Sequence, residues 1–410
     1  MNIRTIDDLG DVRGKYILIR DDFNVQIVDG KIMDAFRIKQ SLPTIQKMIS
    51  KGARVVVMSH LGRPEGFDAA LSLRPIAGAL QSLLGRPVLF ADDCLSKEFI
   101  PNMKDGDALL LENLRFHPGE EKNDPAFAKD LAAGFDFYIN DAFAVSHRAH
   151  ASVDAVAKIL PSFAGALLSS EIKELSGVLQ NPARPLVGFI GTAKIGSKIG
   201  VVRAMAKLCD KLILGSVIGL TFKVVSGETK SRPNLGDNVK DDINSLEIKS
   251  LVSDIMTNYR DKIVLPIDKG VAKEFSPNAF REDKMIDDLS PADVVMDEGQ
   301  NSVAEYKRVI DGAKTIIWNG TVGMAEWQPV WSAGTFALAE YIAEKTMRGE
   351  LKSIIGGGDT VAALEATNTK DKMSYVSTGG GAFLEFIEGR ELPGIKILVH
   401  SPQSTVNSQQ

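Results

Sequence analysis

Ser353-Ile354-Ile355-Gly356-Gly357-Gly358-Asp359-Thr360 runs straight into Val361-Ala362-Ala363-Leu364-Glu365: a short apolar strand, a glycine run, an acid and a hydroxyl, then good helix formers. Glycines turn tightly and leave no Cβ to hold a ligand away. The helix behind them offers unpaired N–H groups and the positive end of its dipole, which suits a phosphate. Asp359 cannot bind phosphate directly, since both are anions, but its carboxylate suits a Mg²⁺ that the phosphates share. Alone, the stretch reads equally as a turn with Asp359 or Thr360 capping a helix. The surrounding chain separates the two.

Further apolar strands of the second half are expected at Leu186 to Ile190, Leu212 to Leu214, Ile263 to Ile267, Val294 to Met296, Thr315 to Trp318 and Ser374 to Val376. Several end in glycine: Gly191-Thr192-Ala193-Lys194, Asn319-Gly320-Thr321-Val322-Gly323 and Ser377-Thr378-Gly379-Gly380-Gly381. Backbone N–H groups in such turns form anion cradles.

The first half alternates in the same way but ends its strands differently. Tyr16–Arg20 leads to Asp21-Asp22-Phe23-Asn24, and Arg54 to Met58 leads to Ser59-His60-Leu61-Gly62-Arg63. Ala108 to Leu111 leads to Glu112-Asn113-Leu114-Arg115, and Phe135 to Ile139 leads to Asn140-Asp141 and His147-Arg148-Ala149-His150. Short, continuously apolar strands separated by helical stretches argue for parallel sheets covered on both faces. Ligands of such sheets bind beyond the strands' carboxyl ends. Here that rim would carry Arg20, Asp22, Asn24, His60, Arg63, Arg115, His147 and Arg148, joined by Arg37. One arginine is usually a solvated charge. Several strand ends delivering cations to one rim suit a small polyanion, because guanidinium groups grip carboxylate and phosphate bidentately.

The expected fold class is therefore α/β: two Rossmann-like three-layer domains with parallel sheets, joined by a long interdomain helix. The boundaries read from the chain are an anion-binding domain over 1–161, the helix over 162–181, and a nucleotide-binding domain over 182–390. The helix is bounded by Pro161-Ser162 and Asn181-Pro182, with apolar residues at Phe163, Leu167, Ile172, Leu175 and Leu179.

Bulk properties agree. A chain of 410 residues fits two or three domains of about 150 residues each. A net charge of −5 gives no global attraction to nucleic acid or an anionic membrane. Cys94 and Cys209 make neither a disulfide scaffold nor a zinc spacing. The N-terminus lacks a signal-peptide pattern and no run is long enough to span a bilayer, so a soluble cytoplasmic protein is expected. Gly191 to Lys198 approaches a Walker A loop, but its lysine and serine stand in the wrong order. A dinucleotide fingerprint and the protein-kinase motifs are absent.

Together these motifs resemble the phosphoglycerate kinase family over nearly the whole chain, in the family's order. The pieces that carry the resemblance are Arg20-Asp21-Asp22-Phe23-Asn24, Ser59 to Pro64, Glu112 to His117, Asp141-Ala142-Phe143 with His147 to His150, Lys194 with Lys198, Trp318-Asn319-Gly320, Gly356 to Thr360 and Thr378 to Ala382. The resemblance implies reversible Mg²⁺-dependent transfer of the acyl phosphate of 1,3-bisphosphoglycerate to ADP, in glycolysis, by a monomer that closes on its substrates. It implies that Asp22, Asn24, Arg37, His60, Leu61, Gly62, Arg63, Arg115, His147 and Arg148 bind 3-phosphoglycerate. Lys198, Asn319, Glu326, Gly357, Gly358, Asp359 and Thr360 would bind the nucleotide, with Glu326 on the ribose and Asp359 on the metal. Arg37, Lys194, Lys198, Gly379, Gly380 and Gly381 would stabilise the transferring phosphoryl group. Residues 391–410 would return to the first domain, with a disordered Ser/Gln-rich end.

Departures from the family pattern fall mainly on the nucleotide side: Thr192, Thr321, Ala325, Gln300 and the run Leu214 to Leu220, which lies near the expected adenine pocket. Asp21, Gln26 and Ala144 depart near the acid side. They leave open ATP against GTP, and a weakly active relative kept for ligand binding or regulation is the alternative reading.

Overall fold

The computed structural model describes residues 3–193, 195–196, 198–231, 233–235 and 244–399. Lys194 and the tail from His400 to Gln410 lie outside the described residues. The chain divides into two compact units, one of residues 1–176 with 391–410 and one of residues 177–390.

The first unit is built on strands β1 (Tyr16–Arg20), β2 (Arg54–Met58), β3 (Val88–Ala91), β4 (Ala108–Leu111), β5 (Phe137–Asn140) and β6 (Ser162–Ala164), paired in the order β3-β4-β2-β1-β5-β6. Every pairing is parallel. Side chains alternate faces along a strand. Ile17, Ile19, Val55 and Val57 thus pack with the helices Phe36–Ser50 and Arg74–Leu84. Leu18, Val56, Leu109 and Leu111 pack on the opposite face, with Phe127, Leu131 and Val156. Both faces are dry, which is why these strands read as unbroken apolar runs.

The second unit repeats the plan with β7 (Leu186–Gly191), β8 (Lys211–Gly215) and β9 (Ile263–Val264), then a separate antiparallel sheet of β10 (Asp268–Ala272), β11 (Glu282–Met285) and β12 (Val294–Glu298). The parallel sheet is completed by β13 (Thr315–Asn319), β14 (Lys352–Gly356) and β15 (Tyr375–Val376), in the order β9-β8-β7-β13-β14-β15. The direction of winding reverses between β7 and β13, where such sheets open a ligand crevice. Phe189 and Trp318 stack across that pair with ring centres 5.6 Å apart.

Three expectations change. Ser162–Ala164 is not the first turn of the linking helix; it is an edge strand pairing with Tyr138–Asn140. The helix runs Ala166–Gln180, and the division between units falls inside it. Gly165 separates strand from helix because a Cβ there would sit 2.2 Å from Asp141 Oδ1. Apolar spacing at Phe163 and Leu167 fits a helix, but ladder pairing to β5 wins. Val294 to Met296 belongs to the antiparallel sheet rather than the parallel one, with the unanticipated β10 and β11. The edge strand β3 was also missed, because Val88–Ala91 is short and only partly buried.

Residues 391–399 belong to the first unit. Leu398 O accepts from Arg4 N at 2.9 Å, and the buried Asn140 Nδ2 donates to Gly394 O at 2.9 Å.

Candidate active site

At the carboxyl rim of the first sheet, β1, β2, β4 and β5 each hand over a polar loop. Asp22 follows β1 and its Oδ2 accepts from Arg37 Nη1 at 2.5 Å. Arg37 comes from the helix that follows the first loop and remains partly exposed. Asn24 Oδ1 accepts from Gly62 N at 3.0 Å, and Phe23 N donates to Ser59 Oγ at 2.8 Å, so the loops after β1 and β2 are stitched together. After β4, Arg115 Nη1 donates to Gly62 O at 2.6 Å, while its Nε faces Glu121 Oε1 at 3.1 Å. After β5, Arg148 Nε lies 3.4 Å from His147 Nε2. Arg63 is exposed.

Two groups on this rim behave differently from their sequence reading. Arg20 is 1 % exposed and fully engaged, through Nε to Ser152 Oγ at 2.8 Å, through Nη1 to Asp21 O and through Nη2 to His60 Nδ1 at 3.2 Å. It is a buried strut behind the rim, not an arm toward a ligand. Asp21 is wholly buried, and neither carboxylate oxygen has a hydrogen-bond partner among the described residues. Burial and the neighbouring Asp141 push its carboxyl well above the usual range, which favours the neutral form.

The cations also set the histidines. Burial, then Arg20, Arg115 and Arg37, hold the His60 pKa well below its ordinary value. Burial and Arg148 lower His147. Burial and the arginines 115, 148 and 20 bring His150 to about 4. Burial and the surrounding positive charge thus both act against protonation of all three rings. Such a surface favours a multiply charged anion.

Sequence reasoning assigned no role to Glu112 and Asn113, yet they set the rim. Asn113 Nδ2 donates to Leu61 O at 2.8 Å and Leu71 O at 2.9 Å, and its Oδ1 accepts from Arg115 N at 3.1 Å. Glu112 Oε1 accepts from Leu73 N at 2.8 Å and Asn113 N at 2.7 Å. Two polar residues directly after four apolar ones were the available signal.

In the second unit the loops after β7, β13, β14 and β15 share one rim. Gly320 has φ +93, and a Cβ on it would lie 1.7 Å from Gly191 O. A Cβ on Gly191 would lie 2.2 Å from Thr321 O. Only glycine permits this approach at the crevice. Gly357, with φ +98, follows β14 and caps the helix Gly358–Ala366, which has Asp359 in its first turn. Thr360 is buried, its Oγ1 accepting from Gly320 N at 2.7 Å. Lys198 precedes the helix Ile199–Leu208 and donates to Asn319 Oδ1 at 3.3 Å. Asn319 Nδ2 is buried without a hydrogen-bond partner among the described residues, a donor left for a ligand. Asp359 is exposed and has no protein partner among the described residues, so its oxygens suit a hard divalent cation. Gly380 and Gly381 begin the helix Gly381–Glu388, whereas the Gly379 amide is spent on Ser377 Oγ at 3.1 Å. Glu326 is exposed.

Residues 6–390 match the family described as "Phosphoglycerate kinase". This chain belongs to that family. It is 41% identical over 404 residues to the phosphoglycerate kinase of Methylorubrum extorquens (strain PA1), covering 97% of this chain and 98% of that one. It is 42% identical over 399 residues to that of Agrobacterium fabrum (strain C58 / ATCC 33970), covering 96% and 98%. Among solved structures, phosphoglycerate kinase from Coxiella burnetii superposes with a TM-score of 0.82 at 39% identity, covering 97% and 98%. The enzyme from Pyrococcus horikoshii OT3 superposes with a TM-score of 0.84 at 27% identity, with the same coverage.

Within the phosphoglycerate kinase frame, the structure gathers Asp22, Asn24, Arg37, Gly62 and Arg115 in one hydrogen-bonded group; His60 Nδ1 lies 3.6 Å from Asp22 Oδ1, and His147 and Arg148 are coupled to the group through charge. It gathers Lys198, Asn319, Gly357 and Thr360 in a second.

Proposed function

We propose that this protein is a working phosphoglycerate kinase, moving the acyl phosphate of 1,3-bisphosphoglycerate to ADP and back, in glycolysis. The observation that carries the reading is the first unit's rim, where Arg37, Arg115 and Arg148 stand with three histidines whose protonation burial and the arginines oppose. A carboxylate and a phosphate on one small molecule match that charge. The alternative of a weakened relative is favoured by no observation.

In the reverse direction the nucleophile is a carboxylate, ionised at pH 7 because its pKa is near about 4. An O–P bond forms as the bond to the departing nucleoside diphosphate breaks, and no proton has to move. The chain's task is therefore alignment and charge. Asp22 holds Arg37 ready beside the acid. Lys198 and the Gly380 and Gly381 amides are suited to the charge on the transferring group, with Lys194 assigned the same role by family resemblance. Asn319 Nδ2, Thr360 and the start of the helix at Gly358 receive the phosphates, and Glu326 takes the ribose. Asp359 would hold Mg²⁺, whose chemistry here is to neutralise phosphate charge. Because acid and nucleotide are assigned to separate units, transfer requires closure and exclusion of water.

The reading also carries a cytoplasmic, monomeric protein without a nucleic-acid partner; among the described residues no helix is long and apolar enough to cross a membrane. The deciding experiment is a coupled assay with ATP, Mg²⁺ and 3-phosphoglycerate, repeated with GTP. Absence of turnover with either nucleotide removes the proposal.

A further inference from the structure

The second unit contains a fully buried ion pair in its antiparallel sheet. Lys269 on β10 and Glu298 on β12 stand opposite each other in the antiparallel sheet. Nζ and Oε1 are 2.8 Å apart, and both side chains are 0% exposed. A buried pair of this kind is weak evidence for stability, because desolvation of two charges offsets their attraction. Glu298 Oε2 even lacks a hydrogen-bond partner among the described residues.

Both members also bond to the backbone of one third residue. Ser216 N donates to Glu298 Oε1 at 2.6 Å, and Lys269 Nζ donates to Ser216 O at 2.6 Å. Ser216 has φ +59, the left-handed region, which a residue with a β-carbon rarely adopts. The ion pair therefore takes up both backbone polar groups of a residue held in a conformation it would otherwise leave.

Ser216 is not remote from the crevice. It follows β8 directly and begins the helix Ser216–Val225. Ile218 N, two residues on in the first turn of that helix, donates to Thr192 O at 3.0 Å in the loop after β7. A Cβ on Gly215 would lie 2.7 Å from Val322 Cγ1 in the loop after β13. The clamped turn thus touches the two loops that form the crevice at the switch point.

We propose that Lys269 and Glu298 are positioning residues for the nucleotide: by holding Ser216 left-handed they set the turn that backs the loops after β7 and β13, without touching the ligand. This rests on the reading that the second unit's crevice takes the nucleotide. The alternative is a cross-link that only ties the antiparallel sheet to the parallel one.

The test replaces both charges together, Lys269→Met with Glu298→Leu, so that no unpaired ion is buried. The expected result is a KM for ATP raised about tenfold with the KM for 3-phosphoglycerate unchanged, and a matching loss in ATP affinity by calorimetry. Adding Ser216→Gly, which reaches positive φ without strain, restores most of that affinity. A second variant, Glu298→Gln, preserves size and an acceptor for Ser216 N and gives a smaller rise in the same KM, which covers the case where the double variant fails to fold. Lys198→Ala serves as control for the nucleotide reading. If Lys198→Ala weakens ATP while the folded clamp variants do not, or if they lower only the melting temperature and Ser216→Gly rescues nothing, the positioning role is overturned. If Lys198→Ala leaves ATP binding intact, the nucleotide reading itself fails.

Discussion

Arg37 Nη1 donates to Asp22 Oδ2 at 2.5 Å, so the cation assigned to the transferring phosphoryl group is held by a carboxylate that is itself nearly buried. A second contact to Asn24 O at 3.4 Å leaves the guanidinium fork partly unused. The pair keeps a flexible side chain oriented before any ligand arrives, which is the condition for electrostatic preorganisation.

Arg37→Ala is expected to lower kcat by about 10²–10³, the usual loss on removing one donor to a developing charge. Steady-state kinetics at saturating ATP and acid measure it. A turnover number near that of the parent would take Arg37 out of the mechanism.

Acid binding is expected to take up protons at the three rim histidines. Burial and the surrounding arginines lower their pKa values, and a bound polyanion opposes that second influence, so protons are taken up as the acid binds. The affinity therefore gains from these groups as pH falls from about 6.5, the ordinary histidine value, toward 5. In the free protein the sign is reversed. Unfolded histidines protonate below about 6.5 while the folded ones resist, so their contribution to stability is lost as pH drops toward the value of about 4 for His150. Calorimetry of acid binding at pH 5.5 in two buffers should show less uptake for His150→Gln; equal uptake would exclude His150 as a contributor.

Asp359→Asn is expected to raise the Mg²⁺ concentration needed for half-maximal activity at least about tenfold, leaving the acid's affinity unchanged because the residue belongs to the other rim. A Mg²⁺ titration at fixed ATP, paired with acid binding by calorimetry, checks both halves. An unaltered Mg²⁺ requirement would assign the metal elsewhere.

Gly320→Ala combines a forbidden approach to Gly191 O with φ +93. The backbone conformation alone costs about 1–3 kcal/mol, so the urea midpoint should fall and ATP affinity with it. A variant as stable as the parent would show that the β7 and β13 loops can separate without consequence.

Asn113→Ala removes bonds to Leu61, Leu71 and the Arg115 amide. Unpaired buried groups cost about 1–3 kcal/mol each, and Arg115 loses its register. The KM for the acid should rise more than the KM for ATP. A fall in stability with both constants unchanged would make Asn113 a purely structural residue.

Much of this protein is determined locally along the chain. Strands buried on both faces must be apolar throughout, and the loops after them must be polar or glycine-rich, so the alternation, the two kinds of rim and the family were legible from residues such as Asp22, His60, Arg115 and Asp359. Only the tertiary structure decided which cations face outward: Arg20 and Arg37 look alike in sequence, yet one is a buried strut and the other remains partly exposed. Ladder pairing made Ser162–Ala164 a strand, and β-sheet register brought Lys269 against Glu298 and both onto Ser216. The physical reason is the range of the forces: backbone preference and hydrophobic periodicity act over a few residues, whereas burial, charge and hydrogen-bond satisfaction depend on partners that the chain places nearby only after it folds.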